Sequence, residues 1–348
     1  MTKIVNVDSI TRAAKQYDPM LKTLPFASLD PVLTEMGINL LEVGDGENIE
    51  TTFERNGKLI KPYVASTSDK DADEKEIGQF VEMPLQTKKV YAALKDHIDN
   101  YTSEKVVVND VNKVDQQKKQ HPLEALILVE KVKTVAEDQI DAMFHSKFDT
   151  SDQSPLGISD GFYTIQDNFI VSGDIAEAKG NYTACGSLAA PANESDITAY
   201  KSLLAWLRKS HAMLKNQNVN LYIPGDSLLN VLDAAANKFR YLNDVNKSVL
   251  EQILREHAMI KGLNIKSHYC LGSGTRLFLT VNGNLDYGMS RRSDSQYVQV
   301  RQPYSDPNWI QFWLQFRVGQ RIKSLHPKSF MMSDGTVTSV SLSGDYQS

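Results

Sequence analysis

PLEALILVEKVKTVAEDQIDAMFHSKF, residues Pro122 to Phe148, holds one helical pattern throughout with no interior Pro or Gly. Pro122 stands at the first helical position, where its missing N–H costs nothing, and Glu124 puts a carboxylate in the first turn, where unpaired N–H groups attract negative charge. Leu123, Leu126, Ile127, Glu130, Thr134, Glu137, Asp141 and Phe144 alternate between an apolar and a polar face. Ile140, Met143, Phe144 and Phe148 weight its far end. At 1.5 Å per residue the stretch predicts a rod of about 40 Å, the height of a domain. We read it as a spine to which the rest of the chain attaches.

Composition bounds what surrounds that spine. The 348 residues suffice for two domains or one elaborated one, and 41% hydrophobic with 23% charged residues is globular. No apolar run approaches the ~20 residues that span a bilayer, and the first 25 residues do not look like a signal peptide, so the expectation is a cytoplasmic chain. Cys185 and Cys270, far apart, exclude a disulfide scaffold and a clustered zinc site, and read as structural thiols. A net charge of -5 leaves no overall electrostatic footprint for nucleic acid.

Ahead of the spine, residues 1–47 carry apolar residues in short groups broken by Pro19, Pro25 and Pro31. They predict an extended N-terminal arm with one short helix near Pro31 to Met36. Asn56-Gly57, between Thr51-Thr52-Phe53 and Leu59-Ile60, is a hairpin signal. Phe80 to Tyr91 reads as a further strand, and Val106–Val108 as a strand within a polar connector. Such a hairpin has no core of its own and must rest on another surface.

Beyond the spine, Ser151 to Pro155 is a breaker cluster and the main domain boundary. Phe162 to Ile175 reads as extended, and Gly180 to Asn193 as a loop. Helices are expected from Ser195-Asp196, after an Asp226 cap, and from an Asp244 cap to Gly262, with strands at Val219–Ile223, Leu263–Leu271 and Arg276–Val281 and a second hairpin turn at Asn282-Gly283. This is one compact α+β domain. Ile310, Phe312, Leu314, Phe316 and Val318 then alternate with Gln311, Trp313, Gln315 and Arg317, a strand about 33 Å long that matches the spine. The chain therefore returns to its first domain.

Chemical motifs are sparse. Gly157-Ile158-Ser159-Asp160-Gly161 fits the hydrolase nucleophile pattern, which needs a strand before the Ser and a helix after it; a Pro-containing loop precedes it and Phe162 to Ile165 reads as strand, so an interdomain turn is the preferred reading. Asp69, Asp71 and Asp73 have the spacing that opens a calcium loop, but Glu74 stands where the turn needs Gly and Phe80 where a bidentate Glu belongs. Gly272-Ser273-Gly274 lacks the third Gly of a dinucleotide loop. His268 and Cys270 share one face of an expected strand without further ligands. Trp309, Phe312 and Trp313 read as core or interface aromatics. No catalytic, cofactor-binding or metal residue is assigned.

The order of elements, with Gly78-Gln79-Phe80-Val81-Glu82-Met83-Pro84-Leu85 and Tyr91 before the spine, Leu221-Tyr222-Ile223-Pro224-Gly225-Asp226, and the run Leu277 to Gly288, resembles the major capsid proteins of tailed bacteriophages, a fold shared with encapsulins. The resemblance implies an α+β fold with an N-terminal arm (1–47), an extended hairpin loop (48–80) overlying the next subunit, a peripheral domain (81–156 and 301–348) with the spine helix at 122–148, and an axial α+β domain (157–300). It implies a structural protein, not an enzyme, that builds hexamers and pentamers of itself into an icosahedral shell around double-stranded DNA, without sequence-specific binding. Scaffolding protein, portal and other capsid proteins would be partners, with assembly in the host bacterial cytoplasm, location in the virion, and no membrane or cofactor. An encapsulin-like nanocompartment and a hydrolase using Ser159 are the alternatives.

Overall fold

The computed structural model describes residues 7–16, 18–43, 47–55, 78–97, 122–239, 245–290, 299–301 and 309–338. Its helices are α1 (Val7–Gln16), α2 (Asp18–Met36), α3 (Pro122–His145), α4 (Phe162–Val171), α5 (Thr198–Arg208), α6 (Ala212–Lys215), α7 (Gly225–Lys238) and α8 (Lys247–Ala258). Its strands are β1 (Asn39–Val43), β2 (Glu47–Arg55), β3 (Gly78–Gln86), β4 (Lys88–His97), β5 (Asn218–Tyr222), β6 (Gly262–Lys266), β7 (Ser273–Gly274), β8 (Leu277–Val281), β9 (Leu285–Ser290), β10 (Gln299–Arg301), β11 (Trp309–Ile322), β12 (Phe330–Ser333) and β13 (Val337–Thr338).

The spine is α3. It buries Leu128, Val132, Ala136, Ile140, Met143 and Phe144, a stripe at helical spacing, while Glu130, Thr134 and Glu137 face water. It stops at His145, not Phe148, because the next loop takes over the backbone: Gly161 N–H donates to Ser146 O at 2.7 Å and Lys147 N–H to Leu156 O at 2.8 Å. Asp141, expected on the polar face, is buried instead.

The arm is helical, not extended. Ala13, Ala14, Leu21, Leu29, Leu33 and Met36 are buried, and α1 and α2 pack on the chain's own α3. The last carbonyls of α2, which have no intrahelical partner, are taken from outside: Tyr222 Oη donates to Met36 O at 2.5 Å and Lys266 Nζ donates to Glu35 O.

β11 confirms the returning strand. Along its first ten residues it pairs antiparallel with β4, and along its last five with β9, in a sheet that also holds β1 and β10. Ile310, Phe312, Leu314, Phe316 and Val318 are all buried in one cluster with the spine. A second sheet, ordered β12-β8-β5-β6, separates two cores by strand alternation: Leu277 and Leu279 join the core of α5, α7 and α8, while Phe278 lies in the spine's core, stacked on Tyr222, which in turn meets Phe144 of the spine.

Several local expectations are corrected. β2 pairs with β3, Thr52 opposite Val81; Asn56-Gly57, Leu59-Ile60, Asp69, Asp71, Asp73, Glu74, Val106–Val108 and Asp244 lie outside the described residues. Phe80 to Tyr91 is two strands joined at Thr87. Phe162 begins α4, a helix. Asp226 lies in the first turn of α7 without capping it, Asn246 caps α8 by accepting Val249 N–H, and α8 ends at Met259 (φ 55°), before Gly262. Leu263–Leu271 is a strand only to Lys266. Asn282-Gly283 does turn the chain, with Gly283 at φ 80°, but passes it from one sheet to the other instead of closing a hairpin.

One buried ion pair ties these parts together. Arg321 donates to Asp286 Oδ2 from Nη2 at 2.6 Å and from Nε at 3.1 Å, and its Nη1 donates to Met83 O at 3.1 Å. Asn39 Nδ2 and Lys323 Nζ hold Asp286 Oδ1 at 3.0 and 3.2 Å. β1, β9 and β11 thus meet at a single carboxylate, and Arg321 extends the tie to β3.

Candidate functional site

Ser159 is the residue that catalysis would require. The helix it needs does follow, as α4, but a 3-10 turn at Pro155–Gly157 precedes it where a nucleophile elbow has a strand. Its side chain is buried, and Oγ donates to Gln320 Oε1 at 2.9 Å, with no histidine partner. A hydroxyl so enclosed meets no base among the described residues.

His268 and Cys270 meet on a 3-10 turn, not on one strand face. His268 Nδ1 accepts Cys270 N–H at 3.4 Å and lies 3.1 Å from Sγ, so the thiol is the donor in that pair. Burial pushes the Cys270 thiol up and the His268 imidazole down, which keeps both neutral. Burial likewise raises Cys185 to about 11. Both cysteines are free. Among the described residues no group of three or more His, Cys, Asp or Glu is placed to hold a metal, and no helix is long and apolar enough to cross a membrane. Ser273-Gly274 forms β7, a two-residue bridge to β13.

The features that stand out are surfaces. In the β2–β3 ribbon, Ile49, Thr51, Phe80, Glu82 and Pro84 share one face by register and alternation, and that face is exposed. Phe80 is 74% and Ile49 53% exposed, while Leu85 on the opposite face is buried. A second apolar surface surrounds a cleft of about 690 Å³ between the β4 edge, α3 and the loop after the spine. Tyr91, Leu94 and Phe148 stand partly exposed around it. The Tyr91 and Trp313 rings stack at 4.9 Å, and Tyr91 Oη donates to Gln153 Oε1 at 3.4 Å. Lys88 Nζ lies 4.7 Å over Phe148, and Lys131 Nζ pairs with Asp96 at 3.2 Å. Asp138 lines the same cleft; burial, then the charges of Asp141 and Glu137, raise it to about 6. Sequence reasoning found Phe80, Tyr91 and Trp313 individually, but nothing in the sequence signals that Tyr91, Trp313 and Asp138 share a cleft.

No protein-family model and no curated protein matches the sequence. Solved structures do match. A chain of the procapsid of satellite phage P4, a particle including the size determination (Sid) protein, aligns over 90% of this chain and 89% of that one, with a TM-score of 0.53 at 12% identity. The capsid of an empty GTA particle aligns over 88% and 96% at a TM-score of 0.48 and 12% identity, and a virus-like particle from Pyrococcus furiosus over 90% and 98% at 0.44 and 12%. With spine, returning strand, two-stranded ribbon and two-core layout all in place, the chain has the α+β major capsid fold of tailed bacteriophages.

Proposed function

We propose that this chain is a phage major capsid protein, which self-assembles through hexamers and pentamers into an icosahedral shell around a double-stranded DNA genome. The carrying observation is that, in a chain of this fold, the exposed apolar Phe80 stands on a ribbon with no core of its own. Burying a phenylalanine is worth about 2 kcal/mol, so that face gains from a neighbour. The cleft beside Tyr91 and Leu94 offers an apolar seat for it. Ribbon and cleft are different surfaces of one subunit, so their contact is head-to-tail, the type that closes rings.

We read the chain as a peripheral domain (81–156 and 301–348) and an axial domain (157–300), with residues 48–80 as the loop that reaches a neighbour; the second core, drawn from Leu188 to Leu279 with Met331, supports the axial part. Scaffolding protein and portal are the expected partners, the virion its place, and assembly in the host cytoplasm its origin. The role is structural and not enzymatic, in keeping with the enclosed Ser159.

Light scattering coupled to size exclusion, with negative-stain images of the same peak, tests this. Rings, tubes or hollow shells are expected. A 39.0 kDa monomer persisting at high concentration overturns it. Shells that hold a protein cargo instead of DNA would make the chain a nanocompartment subunit.

A further inference from the structure

The axial domain carries a cluster of cations that the low net charge conceals. Lys201 and Arg208, seven positions apart on α5, share one exposed helix face with only Ala205 between them. Lys238, in the last turn of α7, joins them: its Nζ lies 4.5 Å over the Tyr200 ring and 5.1 Å over Phe239. Arg208, an exposed residue, is anchored by its Nε, which donates to His257 O at 3.0 Å. Tyr200 Oη and His257 Nδ1 lie 2.8 Å apart, and Lys215 Nζ donates to Arg208 O at 2.6 Å. Among the described residues none of Lys201, Arg208, Lys215 or Lys238 has a carboxylate partner. Partial burial, then the like charges of Lys201 and Arg208, hold the Lys238 ammonium below the ordinary lysine range, as expected of cations gathered without a counter-ion.

We propose that Lys201, Arg208 and Lys238 form a binding site for the phosphate backbone of double-stranded nucleic acid. The proposal rests on the shell reading for its biological setting, since the enclosed genome supplies the ligand. The patch suits a phosphate backbone better than an acidic protein segment. Its cations sit on helices, Lys238 is held over the Tyr200 and Phe239 rings and Arg208 is held by the His257 carbonyl, so little side-chain freedom is lost at these two on binding. Met259, exposed just past α8, is a protruding side chain and not a pocket. Contacts of this kind carry affinity without reading sequence.

The test is fluorescence anisotropy of a 20-base-pair duplex (about two helical turns) with the full chain held below its assembly concentration, across a salt series. K201Q/R208Q/K238Q is compared with K133Q/K147Q/K179Q, which removes the same charge elsewhere. The first variant should bind at least about tenfold more weakly and lose about 2 to 3 from the slope of log K against log salt, with the second near wild type. Equal loss in both variants would reduce the effect to net charge and overturn the site. Unchanged binding in the first overturns it, as does tighter binding of a poly-glutamate peptide of equal charge, which would assign the patch to a protein. If K201Q/R208Q/K238Q keeps duplex binding but no longer assembles, the patch is a subunit contact and the proposal fails. A chain that stays monomeric yet shows the expected duplex loss would sink the shell reading and leave this site standing.

Discussion

Gly288 and Gly319 lie directly opposite each other across β9 and β11, and the end of β3 lies over the bare spot they leave. A Cβ on Gly288 would come within 2.8 Å of Leu85 Cδ2, and one on Gly319 would run into the Gln86 carbonyl. The sheet is therefore smooth where the ribbon leaves it. Gly319→Ala pushes against backbone, which cannot give as a flexible side chain can, and should cost about 2 to 3 kcal/mol. Urea unfolding of the unassembled chain measures it; an unchanged midpoint would mean that the ribbon root does not rest on this pair.

Arg321 and Asp286 pin the same root from inside the sheet. Both are almost fully buried, at 3% and 0% exposure, so removing one leaves the other charged and short of partners. Arg321→Met should lose about 3 kcal/mol or more, with Met83 O also losing its donor. Arg321→Lys should recover only part of this, because an ammonium cannot reproduce the forked contact to Oδ2. Equal stability of the Met and Lys variants would show that charge at this position does not matter.

Asp138 gives the fold a pH dependence of unusual sign for a carboxylate. Its folded pKa is raised from 3.8 to about 6, so the folded state holds the proton more tightly than the unfolded chain does. Its stabilising contribution is full below about pH 4 and lost as pH rises through 6. Asp138→Asn removes that loss. After discounting for partial exposure, the variant should exceed wild type by about 1 to 2 kcal/mol at pH 8 and match it near pH 4. Urea midpoints at the two pH values decide it, and a variant weaker than wild type at pH 8 would show that the ionised carboxylate is favourable where it stands.

What the sequence made legible was regular structure with a clean period. β11 has strict alternation and α3 an unbroken helical stripe, and both were placed within a few residues. The failures share physical causes. α2 contains Pro25 and Pro31, which usually end helices, yet Leu21, Leu29, Leu33 and Met36 line one buried side because α3 supplies a surface to pack on. Phe162-Tyr163-Thr164-Ile165 carries aromatic and β-branched residues that favour strands, and tertiary burial of Phe162, Tyr163 and Gln166 overrides that preference. The β2 partner was invisible because residues 56–77 intervene and a nearer turn signal competed. The cation cluster is drawn from two helices, α5 and α7, so no short window of sequence contains it.

Ser159→Ala separates the structural reading of Gly157 to Gly161 from the hydrolase one. It removes one buried hydrogen bond to Gln320, whose Nε2 already lacks a partner, so the loss should be about 1 kcal/mol. Assembly, followed by light scattering, should be unchanged. An ester-hydrolysing activity in the wild type that disappears in this variant would contradict the enclosure of Oγ.

Phe80 is the sharpest test of how subunits meet. Its side chain is 74% exposed, so replacing it barely touches the isolated fold: Phe80→Glu should shift the urea midpoint of the unassembled chain by no more than about 0.5 kcal/mol. Across an interface the same change removes roughly 2 kcal/mol of apolar burial and sets a carboxylate against the apolar wall of the cleft. A shell repeats each contact many times, so a loss that is modest per subunit should abolish assembly at concentrations where wild type forms particles. Tyr91→Asp, on the cleft side, should do the same, and the two effects should not add if the residues serve one contact. Normal particles from Phe80→Glu would place the ribbon's exposed face outside every subunit contact.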